Sequence, residues 1–456
     1  MMRSIPVIMA GLVLVPSLPA QSNNSPSVTL FSSGRTLVRQ TLPINIPSGN
    51  STQQLAIGRI DPGTLMLLDN GVNLSQVTYD PGFDESSLLR RNVGAEFRFS
   101  TGIDKPVVTA RLLGVDPERW EITSPQALEG VVLNRPGTIL WDRDMIPAGP
   151  VTDVALTSDR ARNSLAVMYE TRGGNWAATY RIFLGNDGRV EGVANINAGL
   201  LDLAGATVQL LAGDIGMKAA PPMPRAEMMA ASRGAAYDAV ATNEALGEVR
   251  LYTLPGTMSF KPGVMSTVPL FVPARVTPEL KLAVSSGIPY YGGIGQMPDE
   301  IEVPVEVSYS FDRKLGTTFG DVPLPAGSVS VYDRDASGRV QLVGAGYIGH
   351  TSAGEPVEVS TGTAFDVTAR RTQTSYVTSV AGTPRRTTAQ VGYRVVVRNA
   401  KDEPVRVEVR EDRAGDWSVE NSSVAPVRRS SSRVVFPLTV PARGEVTLTY
   451  QLRVVW

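Results

Sequence analysis

The segment Glu445–Trp456, EVTLTYQLRVVW, alternates between apolar and polar residues over its whole length. Val446, Leu448, Tyr450, Leu452, Val454 and Trp456 share one phase; Glu445, Thr447, Thr449, Gln451 and Arg453 share the other. Successive side chains of a strand point to opposite faces, so this period of two predicts a strand with one face buried. A slip of one residue would bury Arg453 and the threonines, so the register is strongly specified. The expectation is an internal strand with Val446, Leu448, Tyr450, Leu452 and Val454 against the core. VGYRVVVRNAKDEPVRVEVRED repeats the pattern. Val391, Tyr393, Val395 and Val397 point one way, and Val405, Val407 and Val409 follow after the polar turn NAKDEP. That is a hairpin.

Short strand-like runs extend back to Val28, among them VTLFSSGRTLVRQTL, EFRFSTG, VVTARLLGV and WAATYRIFLGNDGRVEGVANINAG. In the last of these, Gly185-Asn186-Asp187-Gly188 is suited to a tight hairpin turn, because Asn and Gly tolerate positive φ. No long amphipathic helix interrupts the series, and 43 glycines and 33 prolines supply the turns. The predicted fold class is all-β, with antiparallel β-sandwich domains of which the C-terminal one is immunoglobulin-like. A transmembrane barrel would require strands of about ten alternating residues throughout, and only the last strand has that form.

A chain of 456 residues corresponds to about three domain-sized units. With 42% apolar and 19% charged residues it has the composition of a folded protein. The net charge of −1 gives no global field for nucleic acid or acidic lipid. Residues 1–20, MMRSIPVIMAGLVLVPSLPA, carry one positive charge, an apolar run from Ile5 to Val15 and a small residue, Ala20, before Gln21. This is the layout of a secretory signal peptide, and the run is shorter than the roughly 20 residues of a membrane span. Residues 21–27 form a polar linker, 28–216 an N-terminal β-rich region, and 248–456 a C-terminal β-sandwich region. Between these regions, residues 217–247 are rich in Ala and Met, with three prolines near the start. They are predicted to be a short helix or flexible linker. No cysteine is present, so stability rests on burial and strand pairing, not on disulfides.

His350 is the only histidine. A Ser-His-Asp triad would have to use it, and no Gly-x-Ser-x-Gly elbow is present. A zinc site draws on several His or Cys ligands, so none is expected here. The expected role of His350 is a hydrogen bond at a strand end or turn. Asp333, Asp335, Ser337 and Gly338 match the start of a calcium loop, but Gly344 stands where its bidentate Glu belongs. A hairpin turn accounts for them better. YYGGIGQ, Tyr290 to Gln296, lacks the Lys-Ser/Thr of a phosphate loop. From Thr361 to Trp456 there are 15 Lys or Arg against 9 Asp or Glu, an excess suited either to a solvated strand face or to anionic polymers.

The segment YSFDRKLGTTFGDVPLPAGSVSVYDRDASGRVQLVGAGYIGHTSAGEPVEVSTGTAFDVTARR resembles the bacterial domain-of-unknown-function family 4139, the mucoidy-inhibitor-like proteins. The resemblance is carried by Leu324-Pro325-Ala326-Gly327, Val331-Tyr332, Ile348-Gly349-His350-Thr351, Gly362 and Phe365-Asp366-Val367. It continues through Arg398-Asn399-Ala400-Lys401, Gly415-Asp416-Trp417, Val440-Pro441-Ala442 and Tyr450 to Trp456. Earlier, Trp176, Tyr180, Asn195, Gly199 and Leu211-Ala212-Gly213 fit the same pattern. The resemblance implies β-sandwich architecture and no established activity. The coiled-coil region usual in that family is absent, because residues 21–150 read as strands and loops.

The expectation is therefore an exported, non-enzymatic protein of the periplasm or outer cell surface, acting in interaction or assembly. Its partners would be envelope proteins or anionic envelope polymers, with no nucleic acid, no cofactor, and no transmembrane helix once the signal is removed. The candidate binding residues are His350, Asp366, Arg370 and Arg371. The alternative is a hydrolase or carbohydrate-active enzyme acting on envelope polymers, with His350 and Asp366 as its first candidates.

Overall fold

The computed structural model describes residues 25–82, 84–125, 129–185, 188–213, 241–285, 300–381 and 386–456. The expected signal peptide, most of the polar linker, Met217 to Val240, the turn residues Asn186 and Asp187, and Tyr290 to Gln296 lie outside them.

The described chain is almost entirely β-structure, arranged in several sheets, with one short α-helix, Glu85–Arg91. Two large sheets enclose the first core. One runs in the order Thr242–Leu246, Val249–Thr253, Leu203–Ala212, Ser27–Phe31, Arg35–Leu42, Leu165–Arg172 and Met66–Leu67. The other runs Met265–Pro269, Arg189–Asn197, Asn175–Phe183, Gly327–Arg334 and Val340–Ile348. Period-two burial builds this core. Val28 and Leu30, Val167 and Tyr169, Tyr180 and Ile182, and Val329 and Val331 all turn inward.

A second sandwich follows. Its six-stranded sheet runs Val357–Thr363, Val305–Phe311, Glu279–Ser285, Val405–Asp412, Arg433–Val440 and Val427–Arg428. Its five-stranded sheet runs Ile301–Val303, Val367–Ala381, Arg386–Asn399, Glu445–Val455 and Asp416–Ser422. Glu445–Val455 pairs with a strand on each side, so it is internal, and Leu448, Tyr450, Leu452 and Val454 are buried. Val446 is half-buried, and Trp456 leaves the alternation: it lies past the strand end, exposed, with its backbone bonded to Thr387.

A third, small core lies between Asp80 and Val151. Glu96–Ser100, Val108–Val115, Glu118–Ile122, Gly130–Val132 and Thr138–Leu140 form a five-stranded sheet in which the last strand lies beside the first. Trp120 meets Phe97 and Phe99 edge-on, at centroid distances of 5.2 and 4.9 Å. The helix Glu85–Arg91 covers this cluster with Leu89. Asp84 caps it by accepting the Ser87 N–H at 3.0 Å, and Arg90 and Arg91 complement its C-terminal end.

Among the described residues most pairings are antiparallel, and three are parallel: Ser27–Phe31 with Leu203–Ala212, Asn175–Phe183 with Gly327–Arg334, and Glu279–Ser285 with Val405–Asp412. The second of these joins chain from both sides of residues 217–247. The first core accordingly takes Phe311, Leu324, Val329, Ile348 and Val359 from the later part of the sequence. The division expected at 217–247 therefore does not separate the cores. Its last residues are not linker either: Thr242–Leu246 is an exposed edge strand turning at Gly247, at φ 60°, onto Val249–Thr253. Ala and Glu suggested helix there, but hairpin pairing overrides so weak a propensity.

Candidate functional site

Leu324-Pro325-Ala326 and Gly349-His350-Thr351 meet at one loop. The chain leaves Val305–Phe311, makes an irregular excursion, and enters Gly327–Arg334 beside Asn175–Phe183. Arg313 is the hub of that excursion. Its side chain is 4% exposed, and its Nη atoms donate to the carbonyls of Ser352 (3.1 Å), Phe319 (3.2 Å), Gly320 (3.4 Å) and Val322. Gly320 is required by close approach, since a Cβ there would stand 1.7 Å from the Lys314 carbonyl oxygen. Tyr180 donates to the Pro325 carbonyl at 2.6 Å and Tyr252 to the Pro323 carbonyl at 3.1 Å, fastening the loop to both sheets of the first core. Leu324 and Thr351 exchange backbone hydrogen bonds of 2.8 and 2.9 Å.

His350 belongs to this same fastening. It is exposed, and its Nδ1 accepts the Ala326 N–H at 3.1 Å. An accepting Nδ1 places the proton of the neutral ring on Nε2. No hydrogen bond or ion pair joins His350 to a carboxylate among the described residues. Asp366 is exposed, and its carbonyl accepts from the Ala400 N–H at 2.7 Å. Arg370 is exposed and pairs with Glu300 at 3.5 Å. Arg371, on the opposite face of the strand, is 2% exposed. The four sequence candidates therefore form no common site: two hold turns, one faces solvent, and one lies in the core.

Arg371 is the centre of a buried polar cluster that sequence reasoning missed. Its Nη1 lies 2.6 Å from Glu411 Oε1, and its guanidinium lies 3.9 Å from the Tyr393 ring centroid. Tyr450 donates its hydroxyl to the same Glu411 oxygen. Arg413 Nη2 approaches Glu411 Oε2 at 3.7 Å. Burial opposes the charge of Arg371, but Glu411 outweighs it and holds the guanidinium pKa above its ordinary value. Burial, then the Glu411 charge, pushes the Tyr450 hydroxyl pKa well up. A signal for the cluster was present in the sequence. Arg371 falls in the buried phase of Val367 and Ala369, and Glu411 in the buried phase of Val405, Val407 and Val409. Two opposite charges on core phases imply each other.

The Asp333 to Gly338 segment is a hairpin turn. Asp335 Oδ1 accepts from the Ser337 N–H (2.9 Å), the Ser337 hydroxyl (2.6 Å) and the Arg339 N–H (3.0 Å), and Oδ2 accepts from Gln341 at 3.1 Å. These donors, the Ser337 and Gln341 side chains first, hold its pKa far below the usual carboxylate range. Among the described residues no group of three or more His, Cys, Asp or Glu side chains is placed to hold a metal ion.

A concavity of about 1150 Å³ opens beside the Arg313 loop. Phe271, Phe311 and Phe319 supply much of its apolar lining, with Phe271 and Phe319 5.0 Å apart between centroids. Arg313, Arg275, Lys314, Asp312 and Glu279 supply charge. No sequence motif marked this cleft, because its walls come from separated segments. No protein-family model matches this chain, and no curated protein sequence matches it.

Proposed function

We propose that this chain is an exported, non-enzymatic protein of the cell envelope that works by binding, as an interaction or assembly component akin to the mucoidy-inhibitor-like family. Its partners would be envelope proteins or anionic envelope polymers. The observation that carries the reading is the state of the only imidazole: His350 uses Nδ1 to hold the Ala326 amide, where a triad histidine needs that nitrogen for an orienting carboxylate. Further support comes from Phe365, which stands 95% exposed beside Asp366 at the entry to Val367–Ala381. Aromatic residues, phenylalanine among them, are enriched at protein interfaces. The leader-like residues 1–20 support export.

Two measurements test this. Fractionation of cells producing the tagged chain should find it outside the cytoplasm with a new N-terminus at Gln21; cytoplasmic protein retaining residues 1–20 overturns the proposed location. Incubation with envelope polymer extracts should release no products. Turnover that disappears in a folded His350→Ala variant would establish the hydrolase reading instead.

A further inference from the structure

We infer that the cleft beside the Arg313 loop is a binding site for an amphipathic anion, a carboxylate or phosphate headgroup on an apolar body. The inference rests on geometry independent of the proposed location, so it survives if that location fails. Phe271, Phe311 and Phe319 give the cleft an aromatic wall, and a volume of about 1150 Å³ suits a drug-sized or short acyl ligand. The buried charge decides the sign of the headgroup. Arg313 lines the cleft at 4% exposure, and no carboxylate stands within ion-pairing distance of it among the described residues.

The carbonyls that hold its Nη atoms supply dipoles but no counter-charge. Its Nε is buried without a hydrogen-bond partner. Burial is also the leading influence on its pKa, which is lowered. An anion seated in the cleft supplies a counter-charge beside the Arg313 guanidinium. At the rim, Arg275 and Lys314 form no ion pair among the described residues, and Asp312 and Glu279 oppose them in number. The rim charges therefore balance in number, and the net positive charge of the lining is that of Arg313.

The test uses the full chain and 8-anilinonaphthalene-1-sulfonate, whose aromatic body and sulfonate imitate the ligand class. Its fluorescence should rise saturably with one site per chain. Decanoate and decyl phosphate should displace it, and the stronger competitor distinguishes a carboxylate from a phosphate ligand. Uncharged decanol should compete about tenfold more weakly or worse. Reversing the exposed rim cations, Arg275→Glu with Lys314→Glu, should weaken the dye by about tenfold at an unchanged melting temperature. Phe319→Ala should weaken dye and decanol alike. The inference is overturned if no saturable binding occurs, if decanol matches decanoate, or if both variants bind like the parent.

Discussion

Arg371 and Glu411 meet at 2.6 Å inside the second sandwich, one from each of its two sheets. The pair is almost wholly removed from water, with side-chain exposures of 2% and 0%. Taking both charges out of water costs several kcal/mol each, and their attraction must offset that cost. Breaking the pair from one side is therefore far worse than replacing it. Glu411→Leu should destabilise by about 3–5 kcal/mol, because it leaves Arg371 and Arg413 as buried like charges. Arg371→Met combined with Glu411→Leu should cost less than Glu411→Leu alone. Urea unfolding of the two single variants and the double variant checks this, and strict additivity refutes it.

The strand Glu445–Val455 offers a test of phase. Leu452 is fully buried and pairs across from Val391, whereas Thr449 on the other face is exposed. Leu452→Ala should cost about 2–5 kcal/mol, as for other leucines cut from packed cores. Thr449→Ala should cost under about 1 kcal/mol. Equal shifts in melting temperature would remove the basis for the assignment.

Asn399 has no exposed surface and serves two loops at once. Its Nδ2 donates to the carbonyls of Glu403 (2.8 Å) and Pro441 (3.1 Å), while its Oδ1 accepts the Lys401 N–H at 3.0 Å. Asn399→Ala should cost about 2 kcal/mol, since several part-buried backbone groups lose their partner together. Amide exchange should quicken at Lys401 and its neighbours. Unchanged protection there would mean that the loops hold without this side chain.

Alkali should unfold the protein through its tyrosines. Burial pushes Tyr169 and Tyr252 up to about 12, and burial likewise raises Tyr180 and Tyr450. An unfolded chain releases these protons near about pH 10, while the folded chain retains them. The folded pKa is the higher one, so this stabilisation is complete below about pH 10 and is lost as pH rises toward 12. The slope is up to about 1.4 kcal/mol per pH unit for each such tyrosine. Urea midpoints taken at about pH 8, 10 and 11 should fall only in the last interval. A midpoint that holds to about pH 11.5 contradicts the prediction.

Strand identity and phase were legible because alternation is local: EVTLTYQLRVVW needs no partner to declare which side chains are buried. The all-β class followed from the same property, repeated. Which strands became neighbours was not legible, since pairing depends on contacts between distant segments. Asn175–Phe183 lies parallel to Gly327–Arg334, about 150 residues further on, and that pairing places the core division away from residues 217–247. The short helix Glu85–Arg91 escaped notice because seven residues carry little periodic signal, although Asp84 and Ser87 mark its start.

The candidate residues divide in the same way. That His350 would serve at a turn was readable from the lack of chemical partners in the sequence. That it holds Ala326, and that Arg371 lies against Glu411 while its neighbour Arg370 faces water, required the sheets to be stacked. The cleft is the extreme case. Phe271, Phe311 and Phe319 are unremarkable in three separate segments, and only the packing of the Arg313 loop brings them to one wall. Local pattern sets the face that each side chain occupies, because backbone geometry fixes it residue by residue. Concavity and charge pairing arise between elements, so they exist only once the chain has closed on itself.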